Sequence, residues 1–136
     1  MWDGIHNFFS NHNIKDRYRC LKLSMFTVPE SPHKKFPRLK VRGAELKTMG
    51  PALLAVFVEH MSEHNDQHRQ IRLALKCNIK MEDLLASHSE LLKLPAAAAA
   101  EMRQTALNFL LLCTSLAQHY NSQGKMRFDV TIKSHY

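Results

Sequence analysis

The sequence predicts an all-α protein, a small irregular bundle of four or five helices, on three observations. Apolar residues recur at three- and four-residue intervals through most of the last two thirds of the chain, which is the spacing of one helix face. Only four Gly and five Pro are present, which is few for a β protein rich in tight turns. The chain has 136 residues, enough for one ordinary domain and too few for two.

The N-terminal segment predicts a short helix over residues 3–12. Three apolar residues share one face of that helix: Ile5, Phe8 and Phe9. Asp3 is a suitable N-cap because its carboxylate can accept hydrogen bonds from unpaired backbone N–H groups. The polar run from Asn11 to Asn13 would end the helix.

Two longer helices are predicted in the middle of the chain. The first covers residues 43–62, where Gly50-Pro51 indicates either a kink or the start of a new helix. The second is capped by Asn65 or Asp66 and extends to about residue 92, with a break expected near residues 78–81 because its apolar stripe weakens there.

The clearest helix is predicted over residues 95–121. It starts at Pro95, continues through five alanines, which are the best helix formers, and ends before Gly124, a natural left-handed turn residue. One long face is apolar or small: Met102, Ala106, Phe109, Leu110, Cys113, Leu116, Ala117 and Tyr120.

The C-terminal tail alternates strictly between apolar and polar side chains, which is typical of a strand. A lone strand leaves its backbone groups unpaired, so a short β ribbon between residues 21–28 and 126–132 is one interpretation. Residues 14–28 also fit helical spacing, which we slightly prefer. The tail stops inside its apolar pattern, which indicates a fragment, or an edge completed by a downstream segment or by another chain.

These elements predict a single domain overall. The helices near residues 43–62, 66–92 and 95–121 would form its core, so residues 43–136 are the expected helical domain. Residues 1–42 are then a basic N-terminal arm packed on that body.

The positive charge is concentrated at the front of the chain. The net charge is +7, and the first 47 residues hold ten of the nineteen Lys and Arg against four acidic residues. Five cations fall in or just after a proline-rich loop, where they could contact the phosphates of DNA or RNA: Lys34, Lys35, Arg38, Lys40 and Arg42. A solvated basic loop, with Phe36 packed on the body, is the competing interpretation.

Three histidines are the candidates for a metal site, because His60, His64 and His68 are spaced four residues apart. On one unbroken helix, two histidines at this spacing can bind the same ion. Asn65-Asp66 indicates a helix break within the set, so ordinary polar residues of an interhelical turn are the preferred interpretation.

No catalytic set is evident, and we expect neither an enzyme nor a cofactor. Cys20, Cys77 and Cys113 are far apart and odd in number, which is typical of reduced thiols in an intracellular protein, nuclear or cytoplasmic. No signal peptide and no membrane-spanning run of apolar residues is visible, so no membrane partner is expected.

Two short stretches carry a resemblance. They are Lys40-Val41-Arg42-Gly43-Ala44-Glu45 and Lys133-Ser134-His135-Tyr136. Residues 18–136 resemble a helical region in the C-terminal part of transposon-encoded, cut-and-paste transposase-like proteins, where a K-G-x-A-A-E stretch opens a helix and a K-x-H-Y-L-x-x-H stretch closes the region. The resemblance implies a mobile-element origin and DNA handling within a larger protein. It carries over no catalytic residue, so this chain would be a fragment or degenerate copy without autonomous activity.

Three functions follow as hypotheses. The preferred one is a non-enzymatic, transposon-derived helical module with weak, charge-driven nucleic-acid contact. The alternative is a protein-interaction or self-association module that uses the apolar edge of residues 126–132. The third is a metal-binding module at His60, His64 and His68.

Overall fold

Four helices make up the regular structure in the computed structural model, which describes residues 2–14, 43–125 and 128. They are α1, Trp2–Asn11; α2, Gly43–His60; α3, Asp66–Ser87; and α4, Ala96–Ser122. The described part of the chain contains no strand. The predicted all-α class is therefore confirmed, and a helix is present in each of the four regions 3–12, 43–62, 66–92 and 95–121. The helix preferred over residues 14–28 lies, from residue 15 on, outside the described residues.

The chain divides into two compact units, Met1–His60 and Met61–Tyr136. Within the first, α1 packs on α2; within the second, α3 packs on α4. The predicted boundary at residue 42 falls outside the described residues, so the expected division into an arm and a body stays a prediction.

The first unit has a core formed by one face of each helix. Its fully or nearly fully buried side chains are Ile5, Phe9, Met49, Ala52 and Val56. Gly4 lies at the closest approach, because a Cβ atom at this position would stand 2.9 Å from Cγ2 of Val56. Asn13, with φ of 51°, turns the chain after α1, as the polar run predicts.

Pro51 lies inside α2, which is continuous from Gly43 to His60. The sequence left open whether the helix kinks or restarts at this proline. Met49 and Ala52, on either side of it, are buried in the core of the first unit. Burial of this apolar face stabilises the helix through the position where a backbone hydrogen bond is lost.

In the second unit, α4 buries the C-terminal part of the face that its sequence predicts and half-buries the rest of it. Cys113, Leu116 and Ala117 are buried near its C-terminal end, and Ala98 and Thr105 are buried nearer its start. Ala74 is the buried residue that α3 contributes to this unit. In the first unit, the prediction that Asp3 is the N-cap of α1 is wrong, because Asp3 lies within the first turn of that helix rather than before it.

The expected break near residues 78–81 is wrong, because α3 is continuous from Asp66 to Ser87. Cys77, Asn78 and Met81 are all partly buried. Tertiary packing of that face favours the helix where the apolar periodicity alone is weak. The helix also ends earlier than residue 92, at Ser87. The ring Nδ1 of the next residue, His88, lies 2.9 Å from the carbonyl oxygen of Leu84.

The predicted start of α3 and the predicted turn after α4 are both confirmed. Asn65 caps α3, with its side-chain oxygen accepting a hydrogen bond from the His68 N–H at 3.1 Å. Gly124 adopts the left-handed conformation after α4, with φ of 70°.

The predicted ribbon is wrong at the one residue of it that the structure describes. Phe128 has φ of 61°, a left-handed rather than an extended conformation. Its ring stacks on Tyr120 at the end of α4, with ring centroids 5.6 Å apart. Stacking on Tyr120 therefore favours a turn at Phe128 over the extended backbone that the alternating pattern predicts. The other residues of the predicted ribbon, 21–28 and the rest of 126–132, lie outside the described residues.

Candidate functional site

The five cations predicted to contact nucleic acid lie outside the described residues: Lys34, Lys35, Arg38, Lys40 and Arg42. The structure begins again one residue later, at Gly43, where α2 starts. The predicted interaction therefore stays a prediction, as does an interaction at the edge formed by residues 126–132.

The three candidate metal-binding histidines do not lie on one helix. His60 is the last residue of α2, His64 lies in the turn that follows, and His68 lies in the first turn of α3. Among the described residues, no group of three or more His, Cys, Asp and Glu is placed to hold a metal ion. The metal hypothesis stays a prediction, which melting-temperature measurements with zinc and with a chelator would test.

The turn before α3 uses one of these histidines for a structural purpose. The Ser62 backbone N–H donates a hydrogen bond to Nδ1 of His68 at 3.0 Å. Arg69 donates to the Glu63 carbonyl oxygen at 2.6 Å, and Arg72 pairs with the Glu63 carboxylate, also at 2.6 Å. The side chains at the start of α3 therefore fix the turn.

Two free thiols belong to the second unit. Cys113 is buried in the α3–α4 core and Cys77 is partly buried on α3. Burial raises the pKa of the Cys113 thiol above its ordinary value, and the charge of a Cys77 thiolate raises it further. A raised pKa disfavours the nucleophilic thiolate, so this geometry suits a packing role for Cys113.

An open groove runs between α3 and α4, with a volume of about 450 Å³. None of the residues that line it is charged: Gln70, Leu73, Cys77, Asn108, Leu111, Leu112 and Ser115. Two of its leucines are unusually exposed, Leu73 at 47% and Leu111 at 68%. Across the groove, the Ser115 hydroxyl donates a hydrogen bond to Oε1 of Gln70, at 3.3 Å. The groove thus offers apolar surface with a few neutral polar groups.

The solvent-facing side of α4 adjoins this groove. Five of its residues recur at alternating three- and four-residue intervals, and we call them the α4 seam: Gln104, Leu107, Leu111, Thr114 and Gln118. All five are exposed, and Leu107 is 50% accessible to solvent. No Asp, Glu, Lys or Arg occurs from Gln104 to Gly124. A helix face in water ordinarily carries charges, so this one is atypical.

Sequence reasoning missed both the groove and the α4 seam. The strongest apolar stripe of α4 identified its buried face, and the weaker second stripe was hidden by its polar Gln and Thr positions. The signal that could have revealed the seam is the absence of Asp, Glu, Lys and Arg from Gln104 to Gly124. A helix with a single buried face normally carries charged residues on its other faces.

No family model, curated protein or solved structure matches this chain. None of the four described helices has the length and apolar character of a bilayer-spanning segment.

Proposed function

We propose that this chain is a non-enzymatic protein-interaction module, which binds a partner helix on the surface formed by the α4 seam and the adjoining groove. The observation that supports this function is an exposed helix face that contains leucines and lacks charge. Interface cores are depleted of charged residues relative to the rest of a protein surface. The proposal keeps the self-association alternative but moves it from residues 126–132 to α3 and α4.

The spacing of the seam supports a helical partner. Residues at alternating three- and four-residue intervals form the stripe along which two helices pack nearly side by side. One stripe of α4 already packs on α3, with Thr105 and Leu116 buried. The seam is a second stripe on the same helix, as helices with two neighbours in a bundle have.

Fluorescence anisotropy with labelled synthetic helices tests this function. One peptide carries leucines at seam spacing in an Ala, Glu and Lys background; a second has those leucines replaced by Glu and Lys. We expect the first to bind with a Kd in the micromolar range and the second to bind at least about 10-fold more weakly, because charges on the packing stripe must be desolvated.

Two variants of the protein control for non-specific binding. Leu111→Glu introduces a charge at the centre of the surface and should abolish binding of the leucine peptide. Leu92→Glu makes the same change at a fully exposed position in the α3–α4 loop, and should leave binding intact. Equal binding of the two peptides, or equal effects of the two variants, would overturn the proposed function.

We propose charge-driven nucleic-acid contact as a second function, since the charge split favours it. The first 47 residues hold a net charge of +6 out of +7. A transposon-derived origin, which the resemblance of residues 18–136 implies, supports DNA as the partner. Binding of a duplex should weaken steeply as salt increases; no affinity even at low salt would reject this function.

A further inference from the structure

We infer that the helix bound by the α4 seam is the α4 of a second copy of this chain, packed antiparallel about a two-fold axis at Leu111. This inference rests on the proposed function, and it names the partner. The result would be a dimer in which two α3–α4 hairpins meet through their uncharged faces.

The centre and the two ends of the seam are symmetric about Leu111. Leu111 lies at its centre, and glutamines lie seven residues before and after it, Gln104 and Gln118. In an antiparallel pair centred on Leu111, each residue faces the one equally distant on the other side of the centre. Leu111 therefore meets Leu111 of the other copy, and the Gln104 amide meets the Gln118 amide, where donors and acceptors can pair. Leu107 faces Ser115 and Thr114 faces Asn108, and all four of these side chains are uncharged.

The groove extends this surface beyond one helix. Leu111 belongs to both the seam and the groove wall, so the two form one continuous surface. An exposed leucine beside an apolar groove allows mutual insertion, in which each copy contributes a projecting side chain and receives one. An interface between identical copies needs both features on one surface.

Charge favours a second copy over a charged partner. The whole chain has a net charge of +7, so two copies repel each other wherever their basic regions approach. Neither the seam nor the groove lining contains a charged side chain. Contact through this surface brings no like charges into direct opposition, whereas an acidic or basic partner helix would gain no ion pair there.

The size of the surface sets the expected affinity. From Gln104 to Gln118 the seam is about 21 Å long, at 1.5 Å per residue. Two helices, each about 10 Å wide, give a footprint of roughly 400 Å² on each copy, or roughly 800 Å² in total, which is below the standard size of stable interfaces and in the range of weak, transient ones. We therefore expect a reversible dimer with a Kd in the micromolar range.

Analytical ultracentrifugation of the full chain over a wide concentration range tests the dimer. We expect a concentration-dependent shift from monomer to dimer. Leu111→Glu should raise the dimer Kd at least about 100-fold, because the charge is buried in two copies at once. Leu92→Glu, with the same change of charge, should leave the Kd within about 3-fold of the parent chain. Circular dichroism of both variants checks that they fold.

Charge pairs at the ends of the seam test the antiparallel register. The double variant Gln104→Glu/Gln118→Lys places opposite charges together at both ends of an antiparallel dimer, and it should dimerise at least as tightly as the parent. The double variant Gln104→Lys/Gln118→Lys places like charges together and should dimerise more weakly. In a parallel pair both variants would place like charges together, so weakening by both would overturn the register.

The results separate this inference from the proposed function. A chain that stays monomeric at all concentrations but binds the leucine peptide would overturn the dimer and keep the interaction module with a different helix as partner. A monomer that binds neither peptide would overturn both. A dimer that Leu111→Glu and Leu92→Glu weaken equally would place the contact elsewhere and overturn the inference.

Discussion

At the scale of single residues, Gly4 is the position where the first unit is most sensitive to an added atom. Its neighbour is Cγ2 of Val56, a branched side chain held in the core. Gly4→Ala gains about 1 kcal/mol of helix propensity but costs about 1–3 kcal/mol through overpacking. We expect a net loss of about 1 kcal/mol in the free energy of unfolding, measured by urea denaturation.

A double-mutant cycle identifies the cause of that loss. Val56→Ala removes the atom that the new Cβ would meet. In the Val56→Ala background, Gly4→Ala should be neutral or stabilising, because only the gain in helix propensity remains. If Gly4→Ala stabilises the parent chain as well, the close approach in the structure is contradicted.

Cys113 makes stability depend on pH. Its folded-state pKa is raised by burial and by the nearby Cys77, so the folded chain holds the thiol proton more tightly than the unfolded chain does. Its contribution to stability is complete below the pKa of the thiol in the unfolded chain and decreases as pH rises above it. Cys113→Ala should flatten the fall in melting temperature between pH 8 and about pH 10. An unchanged slope would show that the thiol does not titrate differently on folding.

At the scale of the helix, the N-terminus of α3 depends on Asn65. Its side-chain oxygen accepts from the His68 N–H, one of the donors that the first helical turn leaves unpaired. Asn65→Ala should lower the free energy of unfolding by about 1 kcal/mol. Asn65→Asp, which keeps an acceptor at the cap, should be close to the parent; similar losses in both variants would contradict the capping role.

The sequence predicts these helices well where one signal is strong and less well where two compete. Asn65 and Gly124 have intrinsic backbone preferences, so their roles could be read without tertiary structure. The continuity of α3 through Asn78 could not, since partial burial of this face compensates for its weak periodicity. The α4 seam was missed because its leucines alternate with Gln and Thr, so its apolar periodicity is weaker than that of the buried face.

At the scale of the whole molecule, the two candidate functions differ in how much structure supports them. The surface proposed to bind a helix consists of described residues on α3 and α4, but its recognition required knowing which α4 face packs on α3. The basic loop was evident from composition, yet composition alone fixes neither its shape nor its partner. The net charge of a segment predicts the chemical class of its partner. A binding surface can be located only when it is known which helix faces are already packed against each other.

Salt dependence distinguishes phosphate contact by the basic loop from a general effect of net charge. Lys34→Ala/Lys35→Ala removes two loop cations, and Lys76→Ala/Lys93→Ala removes two exposed cations outside it. If each loop lysine contacts a phosphate, the slope of log K against log salt should become shallower by about 1.8 for the first variant. The second variant should keep the slope of the parent chain, because its lysines release no counterions on binding. Equal changes in both would mean that binding depends on the overall charge of +7 and that the loop is not the contact site.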